Sequence, residues 1–154
     1  MKKRKTISLL VLISVLIACA STPIIPKFED ITDRDWSLVE VRSGQQIIVI
    51  DRDRQAANGF DTFILHFDEE QISGVGAPNR YFARYSLEDN QGMTIGGIAG
   101  TLMAALFEQE NFREHEYFGY LQNATKWNLA GDILELYSRG EDGSEAVLFF
   151  KLAE

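Results

Sequence analysis

The stretch Trp127-Asn-Leu-Ala-Gly-Asp-Ile-Leu-Glu-Leu136 decides the fold class of this chain. Large apolar residues recur at every second position on both sides of its centre, which is the spacing of strands that bury one face. The central Ala130-Gly-Asp132 is a typical turn sequence, because Gly and Asp readily adopt the backbone angles of tight turns. The stretch therefore predicts an antiparallel β-hairpin.

Short strand-like segments recur along the rest of the chain, separated by turn and loop sequences. Pro78 cannot donate a hydrogen bond to a central ladder, so the strand around it should be bent, bulged or interrupted. The polar stretch 51–59 is predicted to be a loop. The segments are Trp36–Val41, Gln46–Ile50, a strand with Phe63, Leu65 and Phe67, the interrupted Gln71–Tyr85, Met93–Ile95 and a final strand over Val147–Leu152.

One stretch, Thr101–Asn123, has the apolar periodicity of a helix, with Phe107, Phe118 and Leu121 at helical spacing. The sequence therefore predicts a mainly β protein with one α-helix. The expected architecture is an antiparallel half-barrel, or cracked β-barrel, of about seven to eight short strands. The helix is expected to pack against it and cover an open edge.

The composition indicates one acidic globular domain. The chain has 154 residues, of which 45% are hydrophobic and 25% charged. The net charge is −8, and the first 18 residues carry four positive charges and no negative one, so the rest of the chain is more acidic still. Such a surface repels phosphate backbones, which argues against nucleic-acid binding.

The amino-terminal residues look like an export signal. A basic segment at 2–5 precedes an apolar segment at 6–17, which is shorter than the roughly 20 residues of a transmembrane helix. Leu16-Ile-Ala-Cys19 then matches the site at which signal peptidase II cuts bacterial lipoproteins. We expect residues 1–18 to be removed and Cys19, the only cysteine, to carry the lipid. The alternative is an ordinary secretory signal beside an incidental cysteine.

Residues 19–35 are interpreted as the lipidated cysteine and a tether, in which Pro23 and Pro26 favour an extended chain. Ala20 follows the cysteine where an Asp would be an inner-membrane address in enteric-type sorting. The expected location is the cell envelope, lipid-anchored, on the periplasmic side of the outer membrane rather than at the inner membrane. The folded domain is expected over residues 36–154.

The domain contains an ordered set of short motifs, which are Trp36-x-Leu38, Ser73-Gly-x-Gly76, Asn79-x-Tyr81, Thr101-Leu-Met-Ala104 and Leu134-x-Leu136. This ordered set resembles the META domain family, which includes HslJ-like bacterial lipoproteins. The resemblance implies a β-rich half-barrel with one helix, and involvement in envelope stress or secretion in some members. It implies no defined enzymatic activity. Many members have cysteines where this chain has Ala77 and Ala105, so a redox or metal role cannot be transferred.

No pattern predicts a metal or cofactor site. His66 and His115 are the only histidines and lack metal-ligand spacing. Asp51, Asp53 and Asp61 do not follow the calcium-loop pattern, so a solvated loop is expected. We therefore expect no metal, no cofactor and no catalytic residues.

One candidate ligand or partner surface is Asn79 with Tyr81 and Tyr85, because the two tyrosines share one face of a strand. The alternative is a bulged strand whose two aromatic side chains pack on the helix.

The sequence favours a membrane-anchored envelope lipoprotein whose META-like domain is non-catalytic and has a binding or stress-protective role. Its expected partners are the membrane, through the lipid on Cys19, and an envelope protein or lipid ligand. The alternative is a carrier or pilot-type lipoprotein that holds a lipid or amphipathic segment in the half-barrel, in a cavity lined by Ile47–Ile50, Phe63, Phe107 and Phe118. A hydrolase using Glu114 or an Asp is the third hypothesis.

Overall fold

The computed structural model describes residues 25–57, 59, 61–104, 112–140 and 142–153. The expected signal peptide, Cys19 and the first part of the tether, through residue 24, lie outside the described residues. Within the described residues, ten strands form one antiparallel sheet. They are β1 (Asp35–Ser43), β2 (Gln46–Val49), β3 (Ile64–Phe67), β4 (Gln71–Val75), β5 (Arg80–Glu88), β6 (Gly92–Ile95), β7 (Ala99–Gly100), β8 (Lys126–Ala130), β9 (Ile133–Arg139) and β10 (Glu145–Leu152).

The sheet closes on itself because its first and last strands pair. Strand β1 pairs with β10 from Trp36 opposite Leu152 to Ser43 opposite Ala146. The rest of the ring runs β10-β9-β8-β6-β5-β4-β3 and returns to β1. The short strand β7 lies off this path and pairs with β5. The prediction of a mainly β cracked barrel is confirmed, with more strands than the sequence indicated.

The ring is irregular at two places. Strands β6 and β8 are joined by a single pair of facing residues, Gly92 opposite Lys126. This junction is therefore the weakest in the ring. Strand β1 pairs with β3 near its start and with β2 near its end, so β2 extends beyond the ring as the outer arm of a hairpin. Both features distinguish the fold from a regular barrel.

The alternation of each strand sends one set of side chains into a shared core. Trp36 is almost fully buried, and its indole Nε1 donates to the carbonyl oxygen of Ile31 at 2.9 Å. Aromatic rings meet edge to face in this core, as Phe63 does with Tyr117. The largest fully buried side chains are Trp36, Tyr117, Phe63, Phe67, Phe112 and Phe150.

The predicted helix over Thr101–Asn123 is wrong at its start. The helix α2 spans Glu114–Gln122, residues 101–104 are not helical, and residues 105–111 lie outside the described part. The reason is a tertiary contact, because Asn79 Oδ1 accepts hydrogen bonds from Thr101 Oγ1 at 2.9 Å and from the Met103 amide at 2.7 Å. Strand β7 also pairs with β5, and the Thr101 amide donates to the Arg80 carbonyl oxygen at 3.0 Å, so these residues follow β5 instead of starting a helix.

The predicted loop at 51–59 is also wrong, since Arg52–Ala57 forms a short helix, α1. The helix has no buried residue, so it lacks the apolar stripe by which helices are recognised in a sequence. Its anchor is the Arg52 guanidinium, which donates to the carbonyl oxygens of Leu38 at 2.8 Å and Thr62 at 2.6 Å. Burial lowers the pKa of Arg52, and the nearby Asp61 carboxylate opposes this effect.

Candidate functional site

A polar clamp joins the turn after β4 to the start of α2. Glu114 Oε1 accepts the backbone amides of Ala77 at 2.6 Å and Asn79 at 2.7 Å, and its Oε2 accepts the Asn79 side-chain amide at 2.6 Å. Gly76 lies against this carboxylate, where an added Cβ would overlap Glu114 and Phe118. All these contacts are internal, so the clamp stabilises the fold and leaves the Glu114 carboxylate engaged with three donors.

The clamp also brings together two motifs that are far apart in the sequence. Asn79 belongs to the Gly76–Asn79 turn, and its side-chain oxygen holds Thr101 and Met103. Asn79 is buried, so its side chain serves this junction and has no exposed face. The sequence signal for this contact was an asparagine, Asn79, in a turn. Its distant partners could not be predicted from the sequence pattern.

Tyr81 lies inside the fold, below the clamp. Its hydroxyl donates to the carbonyl oxygen of Ile64 at 2.9 Å and lies 3.0 Å from the hydroxyl of Tyr117. Burial raises the pKa of both phenols. Gly74 makes this contact possible, because an added Cβ would overlap the same carbonyl of Ile64. Tyr81 therefore packs on the helix, which agrees with the alternative prediction of a strand whose aromatic side chains pack there.

Tyr85 is half-buried and closes the other end of the same strand face. Its hydroxyl donates to the carbonyl oxygen of Asp68 at 2.6 Å, and its ring meets Phe28 and Phe67. Burial, with nearby carboxylates, raises the pKa of Tyr85. The structure thus turns Tyr81 and Tyr85 toward the interior side of β5.

The residues considered as metal ligands are not brought together. His115 is exposed on α2, while Asp51 accepts the backbone amide of Arg54 at the start of α1. Within the part of the chain that the structure describes, no group of three or more His, Cys, Asp or Glu residues could hold a metal ion.

The opposite, outer face of β1, β3, β4 and β5 forms an open groove of about 680 Å³. Its central row crosses the four strands, because Asp35 pairs with His66, His66 with Ser73, and Ser73 with Phe82. His66 Nδ1 lies 2.8 Å from Asp35 Oδ1, close enough for the ring to donate a hydrogen bond to the carboxylate. This row includes His66, one of the two histidines of the sequence.

Sequence reasoning missed the groove. The strand alternation does assign Ser73 and Phe82 to the faces opposite Ile72 and Tyr81. The order of strands in the ring is not readable from the pattern, however, and only that order aligns Asp35, His66 and Phe82.

A ring of antiparallel strands, closed by its first and last strands and clamped to a late helix, defines a cracked-barrel domain. The family model of the META domain matches residues 29–154. The match covers most of the chain, so the chain belongs to the META domain family. No match was found among curated proteins.

Two solved structures have the same fold. A protein from Burkholderia xenovorans, determined by NMR, aligns with a TM-score of 0.61 and 18% identity over 90% of this chain and 99% of that chain. A DUF4847 family protein from Bacteroides vulgatus, determined by crystallography, aligns with a TM-score of 0.54 and 12% identity, covering 80% of this chain and 94% of the other. At these identities the likeness establishes the fold alone.

None of the helices within the described residues is long and apolar enough to cross a membrane.

Proposed function

We propose that this chain is a membrane-anchored lipoprotein of the bacterial cell envelope, whose META domain binds a partner and catalyses no reaction. The anchor is the lipid on Cys19, supported by the Leu16-Ile-Ala-Cys19 motif after a basic and an apolar segment. The proposed location is the periplasmic side of the outer membrane. The expected role is binding or protection under envelope stress, with an envelope protein or lipid as the first candidate partner.

The observation that carries the binding role is the outer groove around Asp35, His66, Ser73 and Phe82. A concave surface with a few polar groups around an apolar patch is the usual form of a ligand site. Phe82 is 55% exposed there, although removing a phenyl ring from water is energetically favourable. The groove therefore offers a partner both apolar area and hydrogen bonds.

The carrier alternative receives less support from the interior. Phe63 is fully buried and packs against Phe112 and Tyr117, while Ile48 and Ile50 belong to the core. Ile47 and Val49 point outward, and Phe107 lies outside the described residues. Most of the side chains that were expected to line a cavity therefore lie either in the packed core or on the exposed surface.

The hydrolase alternative uses Glu114 or an Asp, and the Glu114 carboxylate accepts three hydrogen bonds within the clamp. A general acid or base must reach a substrate proton. A carboxylate committed to two backbone amides and one side-chain amide favours a structural role, which supports the proposal of a non-catalytic domain.

The anchor is tested by labelling living cells with radioactive palmitate. The full-length protein should incorporate label and sediment with outer-membrane vesicles, and Cys19→Ser should do neither. A matched control moves the thiol by two residues, in Cys19→Ser with Ser21→Cys. Label in that double variant, or equal label in Cys19→Ser, would defeat the lipobox assignment.

The binding role is tested by complementation. In cells that lack the protein, survival of detergent stress should be restored by the wild type and by Phe149→Ala, which alters an aromatic residue elsewhere on the sheet. Phe82→Ala should restore it poorly although it accumulates to the same level. Full restoration by Phe82→Ala would remove the groove from the function.

A further inference from the structure

The outer face of β5 carries an unusual sequence of side chains for so acidic a chain. Arg80, Phe82 and Arg84 alternate with the inward Tyr81 and Ala83 and are all exposed. Successive outward positions on a strand lie about 7 Å apart, so Arg80 and Arg84 flank Phe82 along β5. Arg80 and Phe82 line one wall of the groove, and Arg84 lies beyond its lining.

The two arginines are available to a ligand. Among the residues that the structure describes, the Arg80 guanidinium has no carboxylate within 4.0 Å. Arg84 has a carboxylate oxygen of Glu70 at 4.0 Å. The side chains of Arg84 and Glu70 are each about four-fifths exposed or more. Exposed ion pairs contribute little free energy, so Glu70 does not compete strongly with an incoming anion.

The floor and the opposite wall supply different chemistry. Ile64 is buried beneath the groove although it lies outside the main core cluster, and Val75 is beside it. The Asp35–His66 pair and Ser73 present acceptors and donors within the same row as Phe82. A matching ligand has an apolar face, several hydroxyl groups and a negative charge.

The backbone of the groove excludes one common mode of peptide binding. Strands β3, β4 and β5 each have a paired neighbour on both sides at the groove. An extended peptide can add to a sheet only at a free edge, where unpaired amides and carbonyls remain. Recognition in the groove must therefore use side chains, which favours a hydroxyl-rich ligand over a peptide strand.

We propose that this groove binds an anionic saccharide, a sugar chain that carries carboxylate groups. The C–H face of a sugar ring packs on Phe82, the carboxylate pairs with Arg80, and ring hydroxyls bond to Ser73 and the Asp35–His66 pair. Arginine suits this role because its planar fork pairs with a carboxylate through two hydrogen bonds. The proposal rests on the binding role proposed above and names the ligand class of that site.

The test is calorimetric titration of the detergent-solubilised full-length protein with trigalacturonic acid, and with the neutral galactose trisaccharide as its uncharged counterpart. The acid should bind at least about tenfold more tightly than the neutral sugar, a difference of about 1.4 kcal/mol. Added salt should reduce this preference, because the ion pair is exposed to screening.

Variants locate the site. Phe82→Ala should weaken binding of both sugars about tenfold or more, whereas Arg80→Gln should abolish the preference for the acid and leave neutral-sugar binding nearly unchanged. The matched control is Arg42→Gln with Phe149→Ala, because Arg42 lies over the Phe149 ring in a similar pair on other strands. This control should bind like the wild type.

Three outcomes would overturn the proposal. Equal binding of acid and neutral sugar removes the role of Arg80, and binding unaffected by Phe82→Ala places the sugar elsewhere. No sugar binding, together with binding of a Glu-Phe-Glu peptide that Phe82→Ala abolishes, makes the ligand an acidic protein segment. In that last case, poor complementation by Phe82→Ala would still support a binding role for the groove. Failure of the saccharide proposal is thus distinguishable from failure of the proposed binding function.

Discussion

Asn79 donates both its backbone amide and its side-chain amide to the one carboxylate of Glu114, at 2.7 Å to Oε1 and 2.6 Å to Oε2. The two residues are 35 positions apart in the sequence. This pair attaches the turn between β4 and β5 to the first residue of α2. Since Asn79 also holds Thr101 and Met103, one buried side chain organises three segments.

Replacing Glu114 by Gln should destabilise the domain by about 1.5–3 kcal/mol, the usual contribution of hydrogen bonds to a charged group. A glutamine presents one oxygen and one amide, so the amide would face a donor of the turn. The free energy of unfolding is measured by urea titration. Glu69→Gln is the control, because Glu69 is exposed, and it should change stability by less than about 0.5 kcal/mol. Equal effects of the two substitutions would contradict the role of the clamp.

Gly74→Ala should reduce stability by about 3 kcal/mol, at the upper end of overpacking effects. The added methyl group meets the backbone carbonyl of Ile64, which cannot move without breaking the Tyr81 hydrogen bond. Gly97→Ala is the matched control, since nothing lies within 4 Å of its added Cβ. That variant should be neutral or slightly stabilising. Thermal and urea unfolding check both, and a neutral Gly74→Ala would show that β3 and β4 separate easily.

The Tyr81–Tyr117 pair should make the domain sensitive to alkali. Burial raises the pKa of both phenols above their ordinary value of about 10, so the unfolded chain loses these protons first. Stability is therefore fully present below pH of about 10 and falls as the pH rises above it.

The double variant Tyr81→Phe with Tyr117→Phe should lose less stability than the wild type between pH of about 9 and about 11. It should be less stable at neutral pH, because the hydrogen bond to Ile64 is gone. Urea midpoints across this pH range measure the effect, and tyrosinate absorbance provides an independent check. Parallel pH profiles for both proteins would refute the assignment.

Arg52→Lys should destabilise the domain by about 1–3 kcal/mol although the charge is kept. The guanidinium bonds at once to Leu38, Thr62 and Phe63, and a single ammonium group cannot reach three diverging carbonyls. Arg34→Lys, at an exposed position, should have no measurable effect. Urea unfolding compares the two, and an unchanged midpoint in Arg52→Lys would mean that α1 needs no such anchor.

The β-rich class was predictable because period-two alternation is local. The hairpin of β8 and β9 and the interruption at Pro78 follow directly from side-chain type. Elements without a local signal were missed, as α1 shows, because its attachment depends on one arginine and on no apolar stripe.

The candidate site was less predictable because it depends on pairing between strands. Sequence reasoning placed Tyr81 and Tyr85 on one face but could not decide whether that face was inside. The start of the helix was predicted wrongly because Thr101 and Met103 donate hydrogen bonds to the distant Asn79, a contact that the local apolar periodicity does not reveal. Likewise, the row from Asp35 to Phe82 exists only once four strands are in register.

The pairing of β1 with β10 sets the time at which the domain can complete its fold. Trp36 is matched by Leu152, so the pairing joins two residues that are far apart in the sequence. Contacts this distant in sequence are slow to form, and until then β1 lacks its longest partner. The rate at which β10 finds β1 therefore limits how fast the ring closes.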